Sequence, residues 1–217
     1  MARIAILAAG DYPTHPTPLA ALREADHIVC CDSAYATLEA HGLPQGSVVV
    51  VGDGDSLPLA LRQRLGERFV HITEQDFNDL HKAVGWAAEH YGVANNTYTI
   101  VGATGRREDH TIGNIAYLAT FADEHTGLDV AMLTNYGQFS LVRGSRTFAS
   151  QPGQQVSLFA LDPEQPVSAS GLQWPLCRRR LGTLWQGTLN AALGPQFTVE
   201  GYNLLVYQTH DTKEAAK

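Results

Sequence analysis

The first part of the chain alternates short apolar runs with segments of helical periodicity. The apolar runs are continuous, as is typical of strands that are buried on both faces of a parallel sheet. They are Ile4–Ala9, His27–Cys31, Val48–Val51, Phe69–Ile72, Thr97–Val101 and Asp129–Leu133. Amphipathic segments such as Leu80–His90 and Thr111–Glu124 lie between them, and Asn78 or Asp79 is the expected N-cap of the first. This alternation predicts that residues 1–140 form an α/β domain with a parallel, Rossmann-like sheet.

The second part of the chain has a different pattern. From about residue 141, short runs rich in Val, Phe, Thr and Leu are separated by Gly, Pro, Asn and Asp, which favours antiparallel strands joined by turns. The runs are Arg146–Ala149, Gln155–Leu161, Leu181–Trp185, Phe197–Val199 and Leu204–Gln208. Residues 151–154 (QPGQ) are expected to form one of the turns. The pattern predicts an all-β sandwich over residues 141–217.

The composition narrows the function classes. The chain has 217 residues and a formal net charge of −7, so it offers no basic field for a nucleic acid backbone. Two of its three cysteines, Cys30 and Cys31, close an apolar run, which favours thiols packed in the core over a disulfide framework. No apolar stretch reaches the roughly 18 residues of a membrane helix, and the N-terminal run is too short for a signal peptide. We therefore expect a cytoplasmic protein without nucleic acid or membrane partners.

Acidic residues follow four consecutive apolar runs. Asp32 comes after the second run, and the segments Gly52–Ser56 (GDGDS), Gln75–Leu80 (QDFNDL) and Gly105–His110 (GRREDH) come after the next three. An isolated Asp at such a place is usually a turn or capping residue, but the strands of a parallel sheet present their carboxyl ends at one edge. Carboxylates that converge there raise each other's pKa unless a cation lies between them. Mg²⁺ binds one or two carboxylates and shares its other ligands with substrate phosphates, so the pattern predicts a metal-dependent enzyme of the phosphoryl-transfer type.

Basic residues near these segments are suited to bind phosphates. Lys82 lies three residues beyond Asp79, on the same face of the predicted helix. Arg106 and Arg107 are the only adjacent basic pair in the α/β half, and guanidinium groups bind phosphate oxygens bidentately. The chain has neither a Walker A lysine motif nor a complete dinucleotide-binding glycine loop. We expect His110 to be a structural hydrogen-bonding residue, since nothing near it suggests a nucleophile that it would activate.

The three acidic segments together resemble a known family, the thiamine pyrophosphokinases. Its members carry the segments GDxDS, DxxTDxxKA and GxxGxRxDH in this order, and the matching residues here are 52–56, 76–83 and 102–110. Asp32 is similar to an aspartate that precedes these segments in the family, and residues 171–174 fit the family pattern GLxW. Order and spacing agree across the three segments, and the resemblance extends into the β half, so that it covers nearly the whole chain.

The resemblance implies a homodimer that transfers pyrophosphate from ATP to the hydroxyethyl group of thiamine, giving thiamine diphosphate and AMP. It implies that the α/β domain binds ATP and Mg²⁺ and that the β-sandwich binds thiamine and forms the dimer. The implied Mg²⁺ ligands are Asp53, Asp55 and Asp79. The implied catalytic set contains these three and Lys82, Arg107 and Asp109. The implied ATP contacts are Asp32, Asn78, Lys82 and Arg107, and the implied thiamine contacts are Trp174, Thr188 and Asn190. Asp109 either orients Arg107 or accepts a proton.

Four positions depart from the family pattern. Asn78 replaces the usual Thr, and both residues cap helices. Residues 33–34 (SA) replace two glycines beside Asp32, and Leu189 lies where the family often has Ser, so that Thr188 is the nearest hydroxyl.

Two other functions use part of the same residues. A nucleotide-sugar transferase also has an Asp-x-Asp metal site, but it gives no reason for the segments 76–83 and 102–110. A non-catalytic sensor of thiamine or nucleotide would not need the metal-binding aspartates together with Lys82 and Arg107.

Overall fold

A parallel sheet of six strands lies at the centre of the N-terminal part of the chain in the computed structural model, which describes residues 1–42 and 47–212. The strands are β1 (Arg3–Leu7), β2 (His27–Cys31), β3 (Val48–Gly52), β4 (Phe69–His71), β5 (Thr97–Val101) and β6 (Asp129–Leu133). Their order across the sheet is β4-β3-β2-β1-β5-β6, and every neighbouring pair is parallel. The predicted parallel sheet is therefore confirmed, with differences of at most two residues at the strand ends.

Burial on both faces explains why these strands have continuous apolar sequences. Successive residues along the inner strands, such as Val29 and Cys30 in β2 or Val50 and Val51 in β3, are fully buried. Alternate side chains of a strand point to opposite faces, so consecutive buried residues require a layer of structure on each side. Cys30 and Cys31 are buried free thiols, as expected.

Five α-helices connect the strands within the described residues. They are α1 (Pro16–Arg23), α2 (Ala34–Ala40), α3 (Leu59–Leu65), α4 (Asp79–Tyr91) and α5 (Glu108–Glu124). Asn78 is the N-cap of α4, because its side-chain oxygen accepts a hydrogen bond from the backbone N–H of His81 at 3.0 Å. The apolar positions predicted to face the core along α4, from Leu80 to Ala87, are buried. None of the helices in the described part of the chain combines the length and the apolar character that a membrane crossing requires.

The chain divides into two compact units, Met1–Asn135 and Tyr136–Lys217. All paired strands of the second unit are antiparallel. They are β7 (Gly137–Ala149), β8 (Gln154–Ala160), β9 (Pro166–Ser170), β10 (Leu176–Arg180), β11 (Asn190–Ala191) and β12 (Gln196–Thr212). The expected boundary at residue 140 thus lies inside β7. Strand β12 pairs with β7 along most of its length, with β9 near its start and with β8 near its end.

A separate apolar core holds the second unit together. It includes Val156, Leu158, Phe197, Val199 and Leu204, each at most 1% exposed. The strand-rich, antiparallel character predicted for this part is confirmed, whereas its arrangement as a two-layer sandwich stays a prediction.

One predicted strand of the second unit is wrong. Residues 181–185 were expected to be extended, but the chain forms a short 3₁₀ helix at Leu184–Gly187. Thr183 and Gln186 form a capping box there, in which each side chain bonds the backbone N–H of the other residue, and such a box stabilises the start of a helical turn. Strands β9 and β10 were not predicted, because their sequences (PVSAS and LCRRR) lack the apolar runs on which the prediction relied.

Candidate functional site

Three aspartates converge at the carboxyl edge of the parallel sheet. Asp32 directly follows β2, Asp53 directly follows β3, and Asp79 is the first residue of α4. One carboxylate oxygen from each lies within 4.8 Å of the other two. The strands end side by side because the sheet is parallel, so residues distant in sequence become neighbours at this edge.

Asp32 is held rigidly and is short of partners. Its backbone is in the left-handed region (φ 39°), and the residue is 2% exposed. One side-chain oxygen accepts a hydrogen bond from the backbone N–H of Ser56 at 3.0 Å, and the other oxygen is buried without a hydrogen-bond partner in the described residues. Burial raises the pKa of the Asp32 carboxyl. A buried carboxylate oxygen without a donor is costly unless a cation binds it.

Asp53 and Asp79 differ in the way their charges are stabilised. Asp53 accepts hydrogen bonds from the backbone N–H of Asp55 at 3.0 Å and from the Gln75 amide at 3.1 Å, and these bonds lower the pKa of its carboxyl. Burial raises the pKa of the Asp79 carboxyl, and the charges of Asp32 and Asp53 raise it further. A cation placed among the three carboxylates would therefore stabilise the charged form of Asp79.

Lys82 provides a positive charge within this cluster. Its side chain is 4% exposed, and its Nζ lies 3.7 Å from Asp79 Oδ1 and 3.9 Å from Asp53 Oδ2. One ammonium group thus lies near two of the three carboxylates, so the cluster keeps a negative balance. All the available ligand atoms are carboxylate oxygens, which a hard divalent cation such as Mg²⁺ prefers.

Asp55 lies outside this group of three in the described part of the chain. It is exposed, and what it contributes to the cluster is its backbone N–H, which bonds Asp53. Gly54 between them has a positive φ of 79°, so the chain turns sharply after Asp53. The structure thus brings Asp32 together with Asp53 and Asp79, whereas the family resemblance implies Asp55 as the third ligand.

A cavity of about 290 Å³ opens beside the cluster, where β1 and β5 end. Its lining includes Asp79, Asn78, Arg107 and the glycines of two loops, Gly10 after β1 and Gly105 after β5. These strands are neighbours, although the chain leaves β1 toward β2 and reaches β5 much later. Such a change of direction in strand order is the usual ligand site of an open α/β sheet.

The two glycine loops lie in direct backbone contact. The N–H of Gly10 bonds the carbonyl of Gly102 at 2.7 Å, and the N–H of Asp11 bonds the carbonyl of Thr104 at 2.9 Å. A Cβ on Gly10 would lie 2.5 Å from the Gly102 oxygen, so only glycine permits this approach.

The two adjacent arginines have different surroundings. Arg106 donates a hydrogen bond to the carbonyl of Ala9 at 2.9 Å and lies 4.0 Å from Asp11, so it fastens the loop after β1. Arg107 lines the cavity and pairs bidentately with Asp109, with distances of 3.1 Å for Nε–Oδ1 and 2.5 Å for Nη2–Oδ2. The hydrogen bonds from Arg107 lower the pKa of the Asp109 carboxyl, which weakens Asp109 as a proton acceptor and favours an orienting role.

The second unit contains a separate cavity of about 380 Å³. Trp174, Thr188 and Asn190, the three predicted thiamine contacts, all line it. Asn190 is 6% exposed; its amide donates to the Trp174 carbonyl at 2.7 Å, and its oxygen accepts from the Trp174 N–H at 3.1 Å. Asn190 thus fixes the backbone of Trp174. The Trp174 residue itself is 56% exposed.

Several residues of the first site were missed from the sequence. Gln75 and Ser56 donate hydrogen bonds to the acidic cluster, and Gly10 and Asn114 line the cavity. Gly10 directly follows the first apolar run, a position that could have indicated it. The partners of Gln75 and Asn114 depend on tertiary contacts that no local pattern reveals.

Two family models match the chain. The model described as "Thiamin pyrophosphokinase, catalytic domain" matches residues 19–132, and the model described as "Thiamin pyrophosphokinase, substrate-binding domain" matches residues 137–207. The protein "Thiamin pyrophosphokinase 1" of Caenorhabditis elegans is 28% identical over 81 residues, which cover 36% of this chain and 33% of that protein. The match thus spans about a third of that relative's length.

Solved structures of thiamin pyrophosphokinases share the fold. The enzyme of Bacillus subtilis is 22% identical with a TM-score of 0.76, and the match covers 96% of this chain and 99% of that one. The Candida albicans enzyme is 17% identical with a TM-score of 0.77, and the match covers 94% and 89%. These likenesses define the fold as that of the thiamin pyrophosphokinases. The two family models show that the chain belongs to the thiamin pyrophosphokinase family, as the sequence motifs predicted.

The packing at Gly52 leads to a prediction for the acidic cluster. A Cβ at this position would lie 2.9 Å from the Cβ of buried Asp32. We expect Gly52→Ala to displace Asp32 and to lower the free energy of unfolding by about 1–3 kcal/mol, the usual cost of overpacking. In the control Gly85→Ala, the nearest atom lies at 3.9 Å, and we expect a gain of about 0.5–1 kcal/mol from better helix propensity. Equal unfolding free energies of the two variants in urea would contradict the proposed contact.

Proposed function

We propose that the protein is a thiamine diphosphokinase that transfers pyrophosphate from ATP to thiamine, with Mg²⁺ bound at the acidic cluster. The observation that carries this proposal is the group of Asp32, Asp53 and Asp79 beside a glycine-lined cavity, in a chain of the thiamin pyrophosphokinase family. Membership of the family supports the reaction, and the oxygen-only cluster supports the metal.

The residues present fit a hard divalent cation. Asp53 and Asp79 are proposed ligands because their carboxylates converge with that of Asp32, and the Asp32 oxygen that has no hydrogen-bond partner in the described residues adds a third ligand atom. Asp55 stays in the proposal, because its exposed carboxylate is available to a cation that arrives with the nucleotide. When bound, Mg²⁺ neutralises phosphate charge and holds the polyphosphate in place.

The phosphates of ATP would bind where positive groups and backbone N–H groups meet. Arg107 lines the cavity, and the first turn of α4 presents free N–H groups beside Asn78 and Asp79. Lys82 does not line this cavity and already faces Asp53 and Asp79. We therefore assign Lys82 first to the balance of charge within the cluster and second to the polyphosphate.

In the proposed reaction, the hydroxyethyl oxygen of thiamine forms a bond to the β-phosphorus of ATP. The bond from that phosphorus to the oxygen bridging the α-phosphorus breaks, AMP leaves, and the hydroxyl proton passes to solvent. Arg107 stabilises charge on the transferred and departing oxygens, and Asp109 orients Arg107 through their bidentate pair. Asp32 and Asn78 position the nucleotide end of the site.

Thiamine would bind at the cavity of the second unit. The exposed face of Trp174 suits a flat cationic ring, and the Thr188 hydroxyl, which donates to the Trp185 carbonyl at 2.7 Å, keeps its lone pairs for an incoming donor. Asn190 holds Trp174 in place. We propose that a homodimer joins this cavity to the acidic cluster of the other protomer. The expected cytoplasmic location stays a prediction.

The direct test is incubation with thiamine, ATP and Mg²⁺, followed by mass analysis. The proposal expects thiamine diphosphate and AMP in equal amounts, and neither product from the Asp79→Asn variant. ADP with thiamine monophosphate would contradict the proposed pyrophosphate transfer. Consumption of a UDP- or GDP-sugar in preference to ATP would point to the transferase alternative, and binding without turnover would point to a sensor.

Asp32 and Asp55 should respond differently to neutralisation. We expect both Asp32→Asn and Asp55→Asn to lose most activity. Asp32→Asn should raise the melting temperature of the metal-free protein, because it removes a buried charge that has only the Ser56 N–H as a hydrogen-bond partner among the described residues, whereas exposed Asp55→Asn should leave it unchanged. The melting temperature is measured by thermal unfolding in EDTA, and kcat is measured separately at saturating Mg²⁺. An unchanged melting temperature for Asp32→Asn would remove Asp32 from the cluster, and unaltered turnover of Asp55→Asn would remove Asp55 from the metal site.

The arginine pair gives a second kinetic test. Arg107→Ala should lower kcat by about two to three orders of magnitude, as expected for a lost electrostatic donor. Arg106→Ala should lower the melting temperature by releasing Ala9 and should change kcat much less. Steady-state kinetics of both variants decide between the two residues, and the reverse ranking of kcat would show that Arg106 acts in transfer.

A mixing experiment tests the shared site. Asp79→Asn and Trp174→Ala chains should each be nearly inactive, but a mixed dimer contains one site with both residues intact. At equal amounts and with full exchange, we expect roughly a quarter of wild-type activity from the statistics of dimer formation. If labelled chains exchange and activity stays absent, thiamine is bound within one protomer.

A further inference from the structure

A partly buried chain of side-chain amides connects three segments of the first unit. Asn114, which is part of α5 and is 8% exposed, donates from Nδ2 to the carbonyl of Ala103 at 2.8 Å. Its Oδ1 accepts from Nδ2 of Asn78 at 3.0 Å, and Oδ1 of Asn78 accepts from the N–H of His81 at 3.0 Å. The chain of bonds thus runs from the loop after β5, through α5, to the first turn of α4.

Each amide in this chain uses a donor and an acceptor at once. Asn114 must donate toward Ala103, which is 3% exposed, and accept from Asn78. An aspartate cannot make the first bond and an apolar residue can make neither, so position 114 requires a side chain that both donates and accepts. Loss of either bond leaves a polar group of the cavity wall without its partner, which is costly in a buried site.

This chain of hydrogen bonds ends next to residues of the proposed metal site. Asn78 directly precedes Asp79, and the same turn of α4 leads to Lys82. Asn78, Ala103 and Asn114 all line the cavity beside the acidic cluster. The position of the first turn of α4 relative to the loop after β5 therefore depends on Asn114.

We propose that Asn114 is a positioning residue. It acts through Asn78 to fix the positions of Asp79 and Lys82 relative to the glycine loop after β5. This inference rests on the proposed function for its kinetic consequence. Groups that orient a metal-binding residue usually change affinity or activity by about 10- to 100-fold when they are removed.

A double-mutant cycle with a matched control tests the proposal. Asn114→Leu removes both bonds at similar volume. Asn78→Ser keeps a capping hydroxyl but is too short to reach Asn114. Glu124→Gln is the control, because Glu124 also links α5 to α4, through His81 at 2.8 Å, yet lies outside the cavity lining.

Three readouts are measured on the full-length protein: kcat and KM, Mn²⁺ affinity without substrates, and hydrogen exchange of the amides of residues 80–83. We expect each single variant to lower kcat about 10- to 100-fold, with little change in KM for thiamine. Mn²⁺ affinity should fall and amide exchange should rise, while Glu124→Gln changes neither. The double variant should be no worse than the worse single variant, because both substitutions break one connection.

Multiplied losses in the double variant would overturn the proposal, as would wild-type Mn²⁺ affinity and amide exchange in Asn114→Leu. If Asn114→Leu does not fold, Asn78→Ser decides on the same readouts, and wild-type values for it would overturn the proposal. If the wild-type protein forms no thiamine diphosphate, the proposed function fails. Mn²⁺ affinity and amide exchange then still decide the role of Asn114.

Discussion

The repulsion among carboxylates at the edge of the parallel sheet is the constraint on which the candidate site of the first unit depends. Strands β2 and β3 deliver Asp32 and Asp53 to adjacent positions, and the N-terminus of α4 adds Asp79. Buried Lys82 and the hydrogen bonds to Asp53 offset part of the charge, but an oxygen of Asp32 has no donor among residues 1–42 and 47–212. The fold thus holds a locally unfavourable arrangement in place, which is typical of sites that a ligand completes.

Much of the fold could be predicted because local pattern and tertiary structure agree in the first unit. Strands β2 and β5, for example, begin and end at the predicted residues, since burial on both faces leaves a continuous apolar run. The convergence of Asp32, Asp53 and Asp79 follows from the same logic, because a parallel sheet puts the ends of its strands together. In the second unit, apolar runs predict the strands less well. The exposed Arg-rich β10 has no apolar run, and the turn around Thr183 depends on a capping box.

The finer assignments at the site required geometry. The motif suggested Asp55 beside Asp53, but the sharp turn at Gly54 leaves Asp55 exposed, and Asp32 completes the cluster. The role of Asp109 stayed open in the sequence, and its bidentate pair with Arg107 favours orientation over proton transfer. Asn190 lines its predicted cavity, yet both ends of its amide bond the backbone of Trp174. Sequence spacing indicates which residues share a site, but it does not show which hydrogen bonds they already make.

Binding of a divalent cation among Asp32, Asp53 and Asp79 can be observed in an anomalous difference map from crystals soaked in Mn²⁺, with and without a nonhydrolysable ATP analogue. We expect a peak within coordinating distance of oxygens from at least two of the three carboxylates, and its loss in crystals of the Asp79→Asn variant. A fully occupied Mn²⁺ peak elsewhere, with no density among these carboxylates when the nucleotide is bound, would contradict it.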